Sequence, residues 1–261
     1  MLFALLGLSV ATAFVLPSVQ EAPAVVTGND VSPVRVCSRS GHLRHYQHLH
    51  LLQNQGYQAV FIRGYAPTGS GVYDSNAASN VKNAYTANIG TEIYMTPQPI
   101  GSKSAATQID ELYKGLSNSG ITVRTIWIQV TSPINWPNSP SANQQFISQA
   151  INRATNYYGL NVGIYTSNQD WQSITNNWSG AGNNLSLWYY HVLGSGVSGE
   201  TPADFSDFRT FGSFRSATVK QFGQVESVCS TTVNRDVFLS GNKASVMAKA
   251  EGPIVGGIIG F

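Results

Sequence analysis

Few residues of this chain can do covalent chemistry. Only 13 of its 261 residues are Asp or Glu, and three of these fall in stretches that read as strands: Asp30, Glu92 and Asp236. Cleaving a glycosidic bond requires two carboxyl groups within several ångströms, one as acid and one as base or nucleophile. The stretch best patterned to present such groups, T-I-W-I-Q-V-T at 125–131, has none. In a strand Thr125, Trp127, Gln129 and Thr131 share one face, while Ile126, Ile128 and Val130 share the other. Gln129 and Thr131 can hydrogen-bond a sugar. Neither can act as a general acid near neutral pH or oppose a developing positive charge. Of the remaining carboxylates, only Asp30 is placed at a strand C-terminus. Glu92, two residues before Tyr94, is an acid candidate if it faces a barrel interior, where burial favours its protonated form. Its position below the rim favours a structural role. Asp236 shares the parity of Asn234, which does not by itself expose it to a pocket.

The elements that would position these groups alternate. Strands are expected at 25–30, 59–65, 90–96, 125–131, 161–166, 185–192, 218–223 and 232–238, and helices at 42–55, 75–88, 104–117, 139–158 and 170–177. Strands separated by helices at these spacings predict an α/β fold, an irregular (β/α)8-type TIM-like barrel with late helices reduced or missing. An open doubly wound sheet is the runner-up. The barrel would gather Asp30, Tyr65, Thr96, Gln129, Thr131, Thr166, Tyr190, Gln221 and Asn234 at one mouth. With Tyr94, Trp127, Trp136, Tyr165, Trp188 and Tyr189, this set is rich in aromatics and amides. Carbohydrate sites have this character, because sugar C–H faces stack on aromatic planes while hydroxyls take amide and hydroxyl partners. The expected glycan-binding set is Tyr65, Tyr94, Trp127, Tyr165, Trp188, Tyr190, Gln221 and Asn234. The bland alternative for each aromatic is that it fills the barrel.

The chain is long enough for one domain of barrel size. Its net charge of +2, with 11% charged residues, argues against nucleic acid as a partner. The apolar run in residues 1–13 is followed by Ala11-Thr12-Ala13, which reads as a signal peptide extending to about residue 19. A barrel domain over 20–239 and an apolar, flexible or processed tail over 240–261 complete the expected organisation. Neither apolar segment is long enough to span a membrane. The reading is a secreted, extracellular monomer, with which sequons at Asn177 and Asn184 agree. Cys37 and Cys229 are either one disulfide or two free thiols. His42, His45, His48 and His50 lack an i, i+4 pair and an acidic companion, so a solvated face is expected, with no metal and no cofactor.

Taken in order, N-Q-G-Y at 54–57, R-G-Y at 63–65, Y-M-T-P-Q-P at 94–99, I-W-I-Q-V-T-S-P-I-N-W at 126–136, S-A-N-Q-Q-F, V-G-I-Y-T, L-W-Y-Y-H and V-K-Q-F-G resemble the family 25 glycoside hydrolases. These are secreted muramidases, and the nematode lysozyme-like branch is the most similar. The resemblance spans about 25–238 and implies an irregular (β/α) barrel acting on bacterial cell-wall glycan or a related polysaccharide. It places the family's first-strand aspartate on Asp30. Its fourth-strand W-L-D-x-E pattern falls where this chain has Gln129 and Thr131, and a late aspartate falls on Asn234. The cysteine of the family's first helix falls on Leu51. The resemblance therefore implies a lysozyme-like protein of antibacterial defence that has lost most or all muramidase activity. The alternatives are an active glycosidase using Asp30 with Glu92, and a non-catalytic signalling or interaction module.

Overall fold

Alternating apolar strands flanked by capped amphipathic helices organise the chain. The computed structural model describes residues 34–39, 46–182, 184–238, 252–257 and 259. In chain order these form β1 (Val34–Arg39), α1 (Tyr46–Asn54), β2 (Tyr57–Ala66), β3 (Val72–Tyr73), α2 (Ala77–Thr86), β4 (Gly90–Met95), α3 (Ala105–Ser117), β5 (Thr122–Val123) and β6 (Thr125–Gln129). There follow α4 (Pro140–Asn152), β7 (Asn161–Thr166), α5 (Asn168–Thr175), β8 (Ser186–Tyr190), β9 (Val219–Val228), β10 (Thr231–Phe238) and β11 (Ile254–Val255).

Nine strands make one curled sheet, with the short β3 paired antiparallel to β2 at its edge. Parallel ladders run β1–β2–β4–β6–β7–β8–β9, β10 is antiparallel to β9, and β1 pairs with β10 as well as β2. Neighbours follow chain order. A doubly wound sheet would reverse its order at a switch point, so that alternative is excluded. The expected strand at 25–30 lies outside the described residues. The first described strand is Val34–Arg39, in a stretch for which the sequence pattern assigns no element.

Three of the helix starts have a local cause. The Ser104, Ser139 and Ser167 hydroxyls accept N–H bonds from Thr107, Ala142 and Asp170, capping α3, α4 and α5; such caps contribute about 1 kcal/mol each. Ile109, Leu112 and Leu116 lie on one face of α3 and are buried. The single helix expected over 139–158 ends as α at Asn152 and continues as a π-helical turn, Arg153–Tyr157. The absence of a helix between β9 and β10 follows from their antiparallel pairing, which needs only a two-residue turn. Cys229 and Ser230 form it, at φ 51° and 61°.

This turn also decides the disulfide question. The backbone of Cys37 lies opposite Arg235, several residues up β10 from the hairpin. At about 3.3 Å per residue that separation far exceeds the ~7 Å limit for a bridge. Cys229 is a free, half-buried thiol.

Two apolar clusters result. The larger lies between helices and sheet. The smaller fills the inside of the curl with Ala59, Phe61, Tyr94, Trp127, Trp188, Val219, Phe238 and Ile259. Trp188 is its hub, stacked on Phe61 at 3.9 Å between ring centroids and edge-on to Trp127 at 6.0 Å. The indole N–H of Trp127 donates to Glu92 Oε2 at 2.9 Å, and that of Trp188 donates to Asp236 Oδ1 at 2.8 Å. Both carboxylates are fully buried.

The expectation of a loose tail is corrected for residues 252–259. β11 pairs in parallel with β5, Gly256 N–H donates to Thr91 O, and Val255 and Ile259 are fully buried. The Ile259 N–H reaches Glu92 Oε1 at 3.4 Å. Apolar residues too few to span a bilayer complete this core instead.

Three outcomes are expected. Removing residues 252–261 exposes the surface covered by Val255 and Ile259 and should cost about 3 kcal/mol or more, read as a lower urea midpoint; an unchanged midpoint would show that the segment adds no stability. Gly256→Val should act in the same direction, since φ is +86° and a Cβ there would lie 2.5 Å from Thr125 N. Trp127→Phe strips a donor from buried Glu92, so unfolding free energy should fall by about 1–3 kcal/mol beyond the packing loss, measurable against Phe61→Leu as a packing-only control.

Candidate functional site

The mouth of the curl carries two adjoining cavities, of about 450 Å³ and about 370 Å³. Pro67, Thr96 and Gln129 line both, so together they form one groove with the end of β6 at its middle. Strand parity explains this placement. Trp127 points into the curl as its floor, and Gln129, two residues on, rises to the rim on the same face. The chain then leaves the strand and returns through Ser132, whose φ is 57°.

A hydrogen-bond chain fixes the rim. The Thr96 hydroxyl donates to Gln129 Oε1 at 2.7 Å, and Gln129 Nε2 donates to Thr131 Oγ1 at 2.8 Å. The Gln129 amide is thereby oriented at both ends, and Thr131, accepting through its oxygen, keeps its own proton to donate. Behind them Trp136 Nε1 donates to Thr131 O at 3.0 Å. Asp170, nearly buried at the start of α5, accepts from Ser132 N at 3.2 Å and from the Tyr190 hydroxyl at 2.6 Å. These bonds tie the loop after β6 to α5 and β8.

The smaller cavity is aromatic, lined by Tyr94, Tyr165 and Trp188 with Arg63 and Asn234. The Tyr165 hydroxyl donates to Gln221 Oε1 at 2.8 Å. Burial, and then the charge of Asp236, push the Tyr165 phenol well above its ordinary range, so it stays a neutral donor. Arg63 Nε and Nη2 both lie 3.0 Å from Asp74 Oδ2, which offsets its charge. Among the described residues no carboxylate lines either cavity. Such a surface can stack on and hydrogen-bond a polyhydroxylated ligand, and it offers no group to protonate a leaving oxygen.

Of the expected site residues, Gln129, Thr131, Tyr94, Tyr165, Trp188 and Asn234 line the groove. Asp30 lies outside the described residues. Trp127 is fully buried beneath the groove. Gln221, nearly buried, supports Tyr165 and accepts from Asn234 Nδ2 at 3.4 Å. Tyr190 turns to Asp170 and lines a different cavity. Tyr65 is corrected outright: its hydroxyl donates to Glu111 Oε2 of α3 at 2.9 Å, so it faces the helices. An irregularity in the β2–β4 register between Arg63 and Tyr65 separates the two, and Arg63 holds the groove position. The parity of Phe61 pointed to Arg63 in the sequence. Glu92, the acid of the alternative pairing with Asp30, is fully buried and bound to Trp127, so it does not line the groove.

Known proteins are similar to this chain in sequence and fold. The family model described as Lysozyme-like protein 1 matches residues 41–222. Lysozyme-like protein 2 of Caenorhabditis elegans is 50% identical over 92% of this chain and 87% of its own length. Lysozyme-like protein 1 of the same organism is 54% identical over 77% of this chain and 67% of its own. A family GH25 lysozyme from Aspergillus fumigatus superposes with a TM-score of 0.62 at 18% identity, covering 85% of this chain and all of that one. The chain belongs to the lysozyme-like protein family, and its curled α/β sheet is the fold of the GH25 lysozymes.

Proposed function

We propose that this chain is a secreted lysozyme-like protein, built on an irregular (β/α)8 barrel, that holds a bacterial cell-wall glycan or related polysaccharide in the β6 groove and cleaves it weakly or not at all. Its role is antibacterial defence outside the cell. The observation that carries this reading is the groove itself: the Thr96–Gln129–Thr131 chain presents oriented neutral groups at the two positions where the resemblance expects an aspartate and the catalytic acid. Tyr94 and Tyr165 supply aromatic surface beside them, backed by the buried Trp188. Absence of a positioned general acid removes on the order of 10² to 10⁴ in rate, whereas stacking and neutral hydrogen bonds survive its loss. The leader expected at 1–13 supports export.

Purified protein is therefore expected to sediment with insoluble peptidoglycan while failing to clear a bacterial-wall suspension. Lysis at rates typical of muramidases, abolished by Asp30→Asn, would overturn the reading. The double change Gln129→Asp with Thr131→Glu is expected to raise wall lysis by at least about tenfold over the parent, within the range that a general acid supplies. Gln129→Ala should weaken sedimentation with the wall while the barrel, checked by circular dichroism, remains folded.

A further inference from the structure

Outside the groove, the most heavily organised polar cluster lies where β8 ends. Lys220, fully buried on the outer face of β9, donates to Asp207 Oδ2 and to Pro202 O, each at 2.7 Å. The Tyr189 hydroxyl donates to Asp207 Oδ1 at 2.6 Å, and His191 Nδ1 lies 2.5 Å from Asp207 Oδ2. Burial would raise the Asp207 pKa, but the bonds from Lys220, Tyr189 and His191 outweigh it and hold the carboxyl at about 2. An ionised carboxylate can only accept. His191 then carries a proton on Nδ1, and Nε2, on the far side of the ring, is left to hydrogen-bond a ligand.

His191 is half exposed and lines a cavity of about 390 Å³, within the usual range for small-ligand sites. The cavity wall includes Tyr190, Phe208 and Phe211, together with the side-chain amides of Asn168 and Gln169, and it has no lining residue in common with the groove. Asp207 is the carboxylate of this wall, and its oxygens are engaged by Lys220, Tyr189 and His191. The chemistry turned toward a ligand is thus an oriented imidazole nitrogen, amides and aromatic faces, together with the guanidinium of Arg209, whose Nη1 donates to Ser206 O and Phe208 O.

We propose that this cavity is a second sugar-binding site, taking one N-acetylated pyranose whose hydroxyl hydrogen-bonds His191 Nε2 while its ring packs on Phe208. It deepens the glycan reading of the groove by giving one long polysaccharide two grips, which raises avidity without new contacts in the groove.

The test is NMR titration of full-length protein with the N-acetylglucosamine trimer. The His191 ring, assigned through His191→Ala, reports on this cavity, and the Gln129 side-chain amide reports on the groove. A saturable His191 shift is expected, retained in Gln129→Ala and weakened about tenfold or more in Phe208→Ala. Movement of Gln129 with a silent His191 would overturn this inference and leave the groove reading standing. Movement of His191 with a silent Gln129 would support it and count against the groove. Silence at both positions, or a His191 shift undiminished in Phe208→Ala, would overturn it.

Discussion

Two indole N–H groups buried inside a curled sheet must each find an acceptor, and the rest of this structure follows from how they do. Leaving such a donor unpaired costs about 1–3 kcal/mol. Trp127 is satisfied by Glu92 and Trp188 by Asp236. These carboxylates lie on strands of the same barrel-like interior in which a hydrolase would look for its acids, yet they serve as acceptors for the core. The aromatic layer above them, centred on Trp188 and its stack with Phe61, separates them from the groove. The floor of the site is thereby rigid and apolar, with its charge sealed beneath.

Above that floor the site is made of neutral groups held in series. Thr96 on β4 orients Gln129 on β6, and Gln129 engages Thr131 beyond the strand end. Asp170 then anchors the following loop from α5 and binds Tyr190 from β8. The ends of three strands, β4, β6 and β8, are thus coupled at one rim. A groove supported this way is preorganised, and preorganisation lowers the ordering cost of holding a ligand. Among the described residues this rim is built without a carboxylate, so its order rests on neutral hydrogen bonds and on Asp170 behind it.

Much of the fold was legible because periodicity is local. The strands at 161–166 and 232–238 and the helix at 104–117 match β7, β10 and α3 within a residue, since alternation, an i, i+3, i+7 stripe and a serine cap are visible within a dozen residues. Partnership was not legible. Parity along β2 cannot show the register irregularity that hands the groove position to Arg63 and turns Tyr65 toward Glu111. The tail from Pro253 onward reads as apolar and short, and nothing local says that β5 will pair with it.

Sequence alone determined the α/β alternation, the absence of acids from 125–131 and the aromatic and amide character of the mouth, because each depends on residue type and on spacing along one chain. Tertiary structure decided which of those residues face a ligand. Gln129 and Trp188 line the groove, whereas Trp127 and Gln221 lie beneath it, Tyr190 lines another cavity and Tyr65 faces the helices. Pairing the Cys37 backbone with Arg235 likewise removed the disulfide that two cysteines invite. The physical reason is common to all of these: depth in a curled sheet, strand register and the partner of a buried donor are set between segments far apart in sequence.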